Sequence, residues 1–242
     1  MAITALVNGA NGGIGLALTQ HWLAQGRQVV AISHHRSSAL DQLDRQHQGL
    51  VRYRTADQGR YQGLAQWLTE QQLKPSLVVS CCGLLHQDSH SPEKQLRQLS
   101  ETFLFDNIRA NCHSAIALAQ ELEQLYQRKD TFRLGVLSAK VGSIGDNRLG
   151  GWYSYRISKA ALNMFIRTLS IEWRRSFPNA SVVAIHPGTT DTRLSQPFQR
   201  NIPADKLYST RLTAERIGEL IDNVDPDNSG AFFGWDGERL PW

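Results

Sequence analysis

Short apolar segments alternate with longer segments of helical periodicity along the whole chain, and this alternation limits the folds that the sequence can adopt. The predicted strands are Ile3–Asn8, Gln28–Ser33, Leu50–Thr55, Ser76–Cys81, Phe132–Ser138, Ser181–His186 and Gly230–Phe233. The predicted helices are Gly13–Gln25, Ser38–Gln46, Tyr61–Gln72, Thr102–Arg128, Gly151–Phe177 and Thr213–Asn223. Alternation of this kind predicts an α/β fold, in which helices cover both faces of a parallel sheet.

The central strands support a doubly wound sheet. Parallel strands that are buried on both faces are continuously apolar, as the segments Leu77–Val79 and Val182–Ile185 are. A chain of 242 residues is long enough for one large core, and the sequence shows no linker or internal repeat. We therefore expect a single domain, residues 1–242, on a doubly wound parallel sheet of about seven strands.

One segment, residues 187–207, has no clear period and contains three prolines. It is long for a structureless loop inside a compact domain. Because loops of this kind often close over a bound substrate, we predict a substrate lid at residues 188–210 rather than a domain boundary.

Composition excludes several classes of protein. No run approaches the ~18 apolar residues of a membrane span. The N-terminus has no basic lead-in and runs into a glycine turn, so it is predicted to be a first strand and not a signal peptide. Cys81, Cys82 and Cys112 do not suggest a disulfide framework, and a reduced cytoplasm fits them better. No cysteine or histidine spacing suits a metal ion.

The net charge of +4 and the pI of about 9.1 would be compatible with nucleic-acid binding. The basic residues are scattered, however, and the longest purely basic run is Arg174-Arg175. We therefore expect no nucleic-acid partner and no membrane partner.

A glycine-rich turn, Asn8–Gly15, follows the first predicted strand and opens the first predicted helix. Glycines permit a close approach of the backbone to a pyrophosphate, and the helix N-terminus faces the phosphates with its partial positive charge. The alternative is a plain structural turn, but strand before and helix after favour a Rossmann-type dinucleotide site. The predicted cofactor-binding residues of this loop are Gly9, Asn11, Gly13, Ile14 and Gly15.

The end of the second predicted strand favours NADP(H) over NAD(H). An acidic residue there would accept from the adenine ribose, but this chain has Ser33, His34 and Arg36 and no carboxylate. Arg36 can bind a 2′-phosphate, with Ser33 and His34 as further donors, unless it is only a solvated surface residue. Asp57, just past the third predicted strand, would accept from the adenine amino group or cap the next helix.

Tyr155 and Lys159 lie four residues apart on a predicted helix and therefore share one face. Two charges about 4 Å apart at an effective dielectric of ~20 interact by ~4 kcal/mol. This energy is about three pKa units, so the Lys159 ammonium is expected to lower the Tyr155 pKa towards neutrality. The same spacing recurs by chance on solvated helix faces, and it is the glycine loop in the same domain that favours a proton donor.

Taken together, these residues resemble the short-chain dehydrogenase/reductase family. The motifs that match in order and spacing, over essentially the whole chain, are the glycine loop, Asp57, Asn111, the Tyr155/Lys159 pair and Pro187–Thr192. The stretch Gly150–Met164 and the ending Ser229–Gly237 look more specifically like the C-factor and sniffer-type carbonyl reductase branch.

The resemblance implies a role for each of these residues. Tyr155 would donate a proton to the substrate oxygen, and Lys159 would hold the nicotinamide ribose and lower the Tyr155 pKa. Asn111 would hold a water that relays protons to Lys159, unless it is only a buried polar residue with a structural partner. Thr192 and the Pro187–Gly188 turn would bind the carboxamide of the nicotinamide. The predicted cofactor-binding residues therefore also include Cys82, Gly83, Pro187, Gly188, Thr190 and Thr192.

Two departures from the family pattern concern the strands beside the glycine loop. Asn8 stands where threonine is usual and can make similar hydrogen bonds. The Asn-Asn-Ala-Gly motif appears as Ser80–Gly83, so its asparagine bonds between strands are expected to be lost. Gly83 still lets the backbone approach a cofactor, and Cys81 and Cys82 are interpreted as small buried residues rather than nucleophiles.

A third departure concerns the reacting groups. The family's catalytic serine is the second of a Ser-Ser pair, and this chain has Ala139 at that place. The missing hydroxyl should bond to the carbonyl oxygen, and loss of such a donor typically costs ~10²–10³ in rate. Either Ser138 or Ser143 is expected to substitute, with Ser138 preferred, or the enzyme works without it.

The sequence thus predicts an NADP(H)-dependent oxidoreductase that transfers hydride between nicotinamide and a carbonyl or alcohol of a small molecule. Its predicted catalytic residues are Tyr155, Lys159, Asn111 and Ser138. The alternative is an NADP-binding signalling or regulatory protein with weak or no catalysis, which Ala139 favours. A lyase or epimerase that recycles the cofactor is a third hypothesis.

The predicted lid carries Phe198, Ile202 and Leu207, with Arg193 and Arg200 nearby. These residues suit an apolar substrate, or one with an acidic group if the arginines are more than surface charge.

As in relatives, the two long helices around Asn111 and Tyr155 are expected to form the interface of a homo-oligomer, a dimer or tetramer. Their apolar residues would serve either that interface or only the core. These residues are Leu118, Leu122, Leu125, Leu162, Phe165 and Leu169.

Overall fold

The computed structural model of the chain describes residues 3–35, 37–47, 49–56, 60–87 and 90–242, so the predicted cofactor residues Arg36 and Asp57 lie outside the described part. Its strands are β1 (Thr4–Asn8), β2 (Gln28–Ser33), β3 (Val51–Thr55), β4 (Leu77–Ser80), β5 (Arg133–Leu137), β6 (Ser181–His186), β7 (Thr189–Thr190), β8 (Leu207–Tyr208) and β9 (Phe232–Gly234). Seven of them form one parallel sheet in the order β3-β2-β1-β4-β5-β6-β9, and β7 pairs with β8. The predicted α/β, doubly wound sheet of Rossmann type is confirmed.

Helices cover both faces of this sheet. They are α1 (Gly13–Ala24), α2 (Ser38–Gln46), α3 (Leu64–Glu70), α4 (Glu101–Ile108), α5 (Ser114–Leu125), α6 (Tyr153–Ser176) and α7 (Thr210–Asn223). Apolar residues of α1, α2 and α7 pack on one face, and those of α3, α5 and α6 pack on the other. Among the helices of the described residues, none is both long and apolar enough to cross a lipid bilayer.

The strands are apolar without alternation because both faces are covered. Leu6 and Val7 are neighbours on β1, and both are fully buried. Leu6 packs into the layer with α5 and α6, whereas Val7 packs into the layer with α1 and α7. Successive side chains of a strand point to opposite faces, so each strand residue contributes to one of two cores.

The apolar residues that were expected at an interface or in the core lie in the core. Leu118, Leu122 and Leu162 are fully buried, and Leu169 is nearly so. Leu125 and Phe165 pack against the same layer. The large apolar side chains that α6 leaves exposed are Ile157, Met164 and Ile171.

The predicted helix Thr102–Arg128 is not continuous. A π-helical turn, Arg109–His113, separates α4 from α5. Asn111 lies in this turn, and its side chain bonds to both the N–H and the C=O of Leu84 on a neighbouring loop. An inserted residue of this kind is typical of functional sites, because it lets one side chain leave the regular helix surface.

The predicted lid contains short regular elements. Its ends, β7 and β8, pair side by side, and the chain between them forms 3₁₀ turns at Gln196–Asn201 and Ala204–Lys206. The helix that follows begins at Thr210, earlier than the predicted Thr213, because the hydroxyl of Ser209 accepts from the Leu212 N–H and caps it.

Candidate active site

Three adjoining cavities form one cleft at the carboxyl ends of the strands. The first has a volume of about 320 Å³, the second about 540 Å³ and the third about 290 Å³. Asn11 and Cys82 line both the first and the second cavity, and Ile14 and Tyr155 line both the second and the third. Ligands of open parallel sheets bind at this edge, outside the strand ends where the strand order reverses.

The glycine loop is packed too tightly for side chains. Gly9 has a φ of +84°, which glycine adopts without strain. A Cβ on Gly15 would lie 2.2 Å from the Gly9 oxygen, and a Cβ on Gly13 would lie 2.7 Å from Cγ2 of Thr192. Because Gly12 at the N-cap offers no side-chain acceptor, the first N–H groups of α1 remain available to a phosphate.

Of the two polar side-chain atoms of Asn11, one is hydrogen-bonded and the other has no partner within the described residues. Its amide donates to the His35 carbonyl, whereas its Oδ1 is buried and has no hydrogen-bond partner in the part of the chain that the structure describes. A buried acceptor without a partner is costly, and a ligand hydroxyl would satisfy it. Ser33 and His34 line the same first cavity, and the Ser33 hydroxyl donates to the His35 carbonyl over 2.7 Å.

The strands beside the loop are joined by side-chain bonds of Asn8, although the motif Ser80–Gly83 has no asparagine. The Asn8 amide donates to the Ser80 hydroxyl over 3.0 Å and to the Tyr61 hydroxyl over 2.9 Å. The residue that replaces the usual threonine thus bridges β1 and β4 from the opposite strand. Cys81 and Cys82 are half-buried free thiols whose pKa values burial raises, so neither thiol is activated as a nucleophile.

Tyr155 and Lys159 project from the first turns of α6 into the cleft. Tyr155 is 8% exposed and Lys159 is 2% exposed. The Lys159 Nζ atom lies 5.8 Å from the centre of the Tyr155 ring and donates to the Leu137 carbonyl over 2.8 Å. Both side chains line the second cavity, so the sequence spacing does bring them to one site.

The expected direction of the Tyr155 pKa is not found in the free protein. Burial raises the pKa of Tyr155 above its ordinary value. Burial also lowers the pKa of Lys159 to about 8, against the attraction of the Cys82 and Cys112 sulfurs. Desolvation therefore outweighs the attraction between ammonium and phenolate that the four-residue spacing suggests, because both groups are further from water than that argument assumed.

Hydrogen bonds of the Asn111 side chain connect three segments of the chain. Besides the two bonds to Leu84, its amide donates to the Ser158 hydroxyl on α6 over 2.9 Å. Its Oδ1 lies 3.5 Å from the place that a Cβ on Gly83 would take, and the Lys159 Nζ lies 4.0 Å from that place. Asn111, Gly83 and Lys159 therefore meet at one point, where the π-helical turn, the end of β4 and α6 converge.

Neither serine replaces the one missing at Ala139 in an obvious way. Ala139 and Ser138 both line the third cavity with Tyr155. The Ser138 hydroxyl is buried and donates to Oδ1 of Asn163 over 2.6 Å, so its proton is already engaged. The Ser143 hydroxyl donates to the Trp242 carbonyl, and Ser143 does not line any of the three cavities.

The turn after β6 closes the cleft. Pro187 and Thr192 line the second and third cavities, and Gly188 and Thr190 line the third. The Thr190 hydroxyl pairs with that of Thr213 at 2.9 Å, and the Thr192 hydroxyl donates to the Thr190 carbonyl over 3.4 Å.

The third cavity is mainly apolar, and several of its residues were not predicted. Trp152 has a φ of +52°, an unusual conformation for a side chain of this size, and its ring lies 5.1 Å from that of Phe198. Ile202 from the predicted lid lines the cavity with them. The unpredicted lining residues include Trp152, Leu85, Leu194 and His186. For two of these residues the sequence offered one signal each: Trp152 directly precedes α6, and His186 directly precedes Pro187.

Comparison with known proteins decides the family. The sequence model described as short chain dehydrogenase matches residues 3–203. The chain belongs to the short-chain dehydrogenase family. This short-chain dehydrogenase is therefore an oxidoreductase by family, as predicted, and no group of three or more metal-ligating side chains occurs within its described residues.

Two curated relatives and two solved structures illustrate the similarity. 1-Hydroxy-2-glutathionyl-2-methyl-3-butene dehydrogenase of Rhodococcus sp. (strain AD45) is 30% identical over 243 residues, which are 99% of each chain. C-signal of Myxococcus xanthus is 36% identical over 111 residues, 46% of this chain and 61% of that one. The carbonyl reductase Sniffer of D. melanogaster has a TM-score of 0.84 at 21% identity, and the NADPH-bound carbonyl reductase from chicken fatty liver has 0.85 at 23%; both comparisons cover 100% of each chain. The resemblance to the C-factor and sniffer-type branch is confirmed.

Proposed function

We propose that this short-chain dehydrogenase is an NADP(H)-dependent carbonyl reductase of small molecules, with Tyr155 as the acid and base of the reaction. The observation that carries the proposal is the position of Tyr155. Its buried side chain lines both the second cavity, which the glycine loop also lines, and the apolar third cavity. A group at that junction can exchange a proton with a substrate in the third cavity while a dinucleotide lies along the other two.

The residues of the first and second cavities fit a nicotinamide dinucleotide. The cradle of Gly9, Gly13 and Gly15 leaves room for a pyrophosphate at the N-terminus of α1, and Oδ1 of Asn11 awaits a hydroxyl donor. When bound, the cofactor supplies or accepts the hydride. Preference for NADP(H) over NAD(H) is supported by the sequence from Ser33 to Ser38, which has Arg36 and no carboxylate, and by the NADPH-bound relative in fold.

The protein's own groups would manage the proton. Tyr155 would give its proton to the carbonyl oxygen, and Lys159 would hold the nicotinamide ribose. Because burial lowers the Lys159 pKa to about 8, this side chain can release and regain a proton near neutral pH, as a relay requires. Asn111 is fixed by Leu84 and Ser158 and would hold the water that supplies that relay.

The substrate class follows from the third cavity. It is small, and its wall includes the rings of Trp152 and Phe198 together with Ile202. A compact apolar aldehyde, ketone or quinone fits such a wall better than a charged compound does. The segment 188–210, which carries Phe198 and Ile202, would act as the lid. The free thiols at Cys81, Cys82 and Cys112 support a reducing compartment, for which we propose the cytoplasm.

Turnover of NADPH by the Tyr155→Phe variant tests this function. A panel of small quinones, aldehydes and ketones is incubated with NADPH or NADH, and oxidation of the cofactor is followed by absorbance. We expect wild-type activity with at least one substrate, a preference for NADPH, and a fall of ~10²–10⁴-fold in Tyr155→Phe. The matched control is Tyr153→Phe, two residues earlier on α6 and outside the lining of the cleft, which should keep its activity.

A regulatory protein that binds NADP(H) with weak or no catalysis is the second candidate. It is supported by Ala139, which leaves the third cavity without the usual serine hydroxyl. The same panel separates the two: tight NADPH binding without turnover of any substrate would favour the regulatory protein, and equal activity of Tyr155→Phe would remove Tyr155 from the mechanism.

A further inference from the structure

His186 and Ala139 both line the third cavity. In the parallel pair of β5 and β6, Leu137 is opposite Ile185, and the Ser138 N–H donates to the Ile185 carbonyl over 2.7 Å. The residues that follow on the two strands, Ser138 and His186, are therefore brought to the same edge of the sheet, and Ala139 follows directly after Ser138. Tyr155 lines the same cavity.

Four hydroxyl groups that line this cavity are engaged. Ser138 donates to Asn163, and Thr190 pairs with Thr213. The hydroxyls of Thr192 and Ser195 both bond to the Thr190 carbonyl. A substrate carbonyl next to Tyr155 would thus find no second donor among these hydroxyls without breaking an existing bond.

The His186 imidazole, unlike these hydroxyls, is not fully hydrogen-bonded within the described residues. Its Nδ1 atom is buried and lacks a hydrogen-bond partner among the residues that the structure describes. Burial and the Lys140 ammonium lower the pKa of His186 to about 4, against the attraction of Asp236, so the ring is neutral at physiological pH. A neutral imidazole has one N–H donor and one acceptor, and His186 makes no side-chain hydrogen bond within the described residues, so its N–H remains available to a ligand.

We propose that the His186 imidazole donates a hydrogen bond to the substrate carbonyl oxygen, beside Tyr155, and so does the work of the hydroxyl that is absent at Ala139. The proposal rests on the proposed carbonyl reductase function. No proton is transferred from His186: its N–H stabilises the negative charge that develops on the oxygen, and Tyr155 protonates that oxygen.

Moving the donor from one strand to the other tests the proposal. We compare His186→Phe, which keeps a ring without a donor, with the double variant Ala139→Ser, His186→Phe. We expect kcat to fall by ~10²-fold in His186→Phe, with unchanged NADPH affinity, and to recover by at least tenfold in the double variant, where the Ala139→Ser change supplies a hydroxyl. The control is His47→Phe, at the end of α2 and away from the cleft, which should leave kcat unchanged.

Each result has a fixed meaning. Unchanged kcat in His186→Phe overturns the proposal, even though the reductase function stands. A fall in kcat that Ala139→Ser does not repair also overturns it, because His186 then only supports the fold. A fall that Ala139→Ser repairs supports it.

A binding measurement, which does not require turnover, tests the role of His186 even if the protein is not a reductase. Protein labelled with ¹⁵N-histidine and mixed with NADP⁺ is titrated with 4-nitrobenzaldehyde. The His186 ring resonances, assigned by their loss in His186→Phe, should shift while those of His47 stay in place. If wild-type enzyme reduces none of the panel and these resonances do not move, both proposals fail; if turnover occurs and they do not move, only the role of His186 fails.

Discussion

Burial of the charged side chain of Lys159 lowers the stability of the folded protein. This side chain is 2% exposed, donates to one backbone carbonyl and has no carboxylate bonded to it among the described residues, so burial lowers its pKa from 10.5 to about 8. At pH 7 the folded protein nevertheless keeps the charge, which costs about 3 kcal/mol relative to the unfolded chain. An apolar side chain of similar length would avoid that penalty.

We therefore expect Lys159→Met to raise the free energy of unfolding of the cofactor-free protein at pH 7. The gain should be about 2 kcal/mol, since the Leu137 carbonyl loses a donor worth ~1 kcal/mol. Between pH 8 and 10.5 the unfolded wild-type chain binds more protons than the folded one, so wild-type stability rises with pH there and the difference shrinks. Urea denaturation at pH 7 and pH 10 measures both effects.

The control for this experiment is Lys129→Met, since Lys129 is exposed. Its stability should differ little from wild type at either pH. If Lys159→Met were less stable than wild type at pH 7, the cost of the buried charge would be refuted.

At this scale the sequence predicts which residues matter but not their electrostatics. The spacing of Tyr155 and Lys159 correctly places both in one cleft, because helix geometry is fixed by spacing alone. The direction of the Tyr155 pKa was wrong for the free protein, because burial depends on residues far apart in the chain. His186 was overlooked for the same reason: only the folded chain brings it to the cavity that Ala139 and Tyr155 line.

Among the elements, the start of α6 is held in an uncommon way. Trp152 at its N-cap has a positive φ and no capping side chain, and the cap comes instead from Glu93, about sixty residues earlier. The Glu93 carboxylate accepts from the Ser154 N–H over 3.1 Å and from the Ser154 hydroxyl, and the Glu93 carbonyl accepts from the Trp152 N–H over 2.5 Å. These bonds fix the first turn, which carries Tyr155.

Loss of this distant cap should lower the stability of the folded protein. We expect Glu93→Ala to lower the free energy of unfolding by ~1–3 kcal/mol, because Ser154 loses two acceptors and the helix N-terminus loses a negative charge. Glu93→Gln keeps an acceptor oxygen and should lose less. Thermal or urea unfolding measures these differences in stability. The control is Glu172→Ala, on the exposed face of α6. Equal stability of Glu93→Ala and Glu172→Ala would contradict the role of Glu93.

The strands and helices were predictable because their periodicity is local, but the interruption of a helix was not. All seven predicted strands exist, because apolar composition and glycine punctuation are read within a few residues. The π-helical turn at Arg109–His113 depends on bonds between Asn111 and Leu84, which only the folded chain brings together. The cap from Glu93 has the same origin.

On the scale of the whole molecule, an apolar stripe on α6 remains exposed. Ile157, Met164 and Ile171 are 42%, 66% and 49% exposed and follow one another at seven-residue intervals along α6, so they lie on one helix face. Phe105 on α4, the helix packed beside α6, is 54% exposed. We propose that the predicted homo-oligomer forms through this face and not through the buried leucines.

A charge at the centre of the stripe should dissociate the assembly. We expect Met164→Glu to sediment as a monomer, because an unpaired carboxylate cannot be buried in an apolar contact without a large desolvation cost. Ile144→Glu is the matched control, since Ile144 is 78% exposed and lies outside α6, and it should sediment as wild type does. Analytical ultracentrifugation distinguishes the species, and a wild-type monomer, or a Met164→Glu variant that stays oligomeric, would rule out this face. Because α6 also carries Tyr155 and Lys159, contact with a second copy would restrain the helix that positions both side chains. Dissociation should therefore reduce turnover as well.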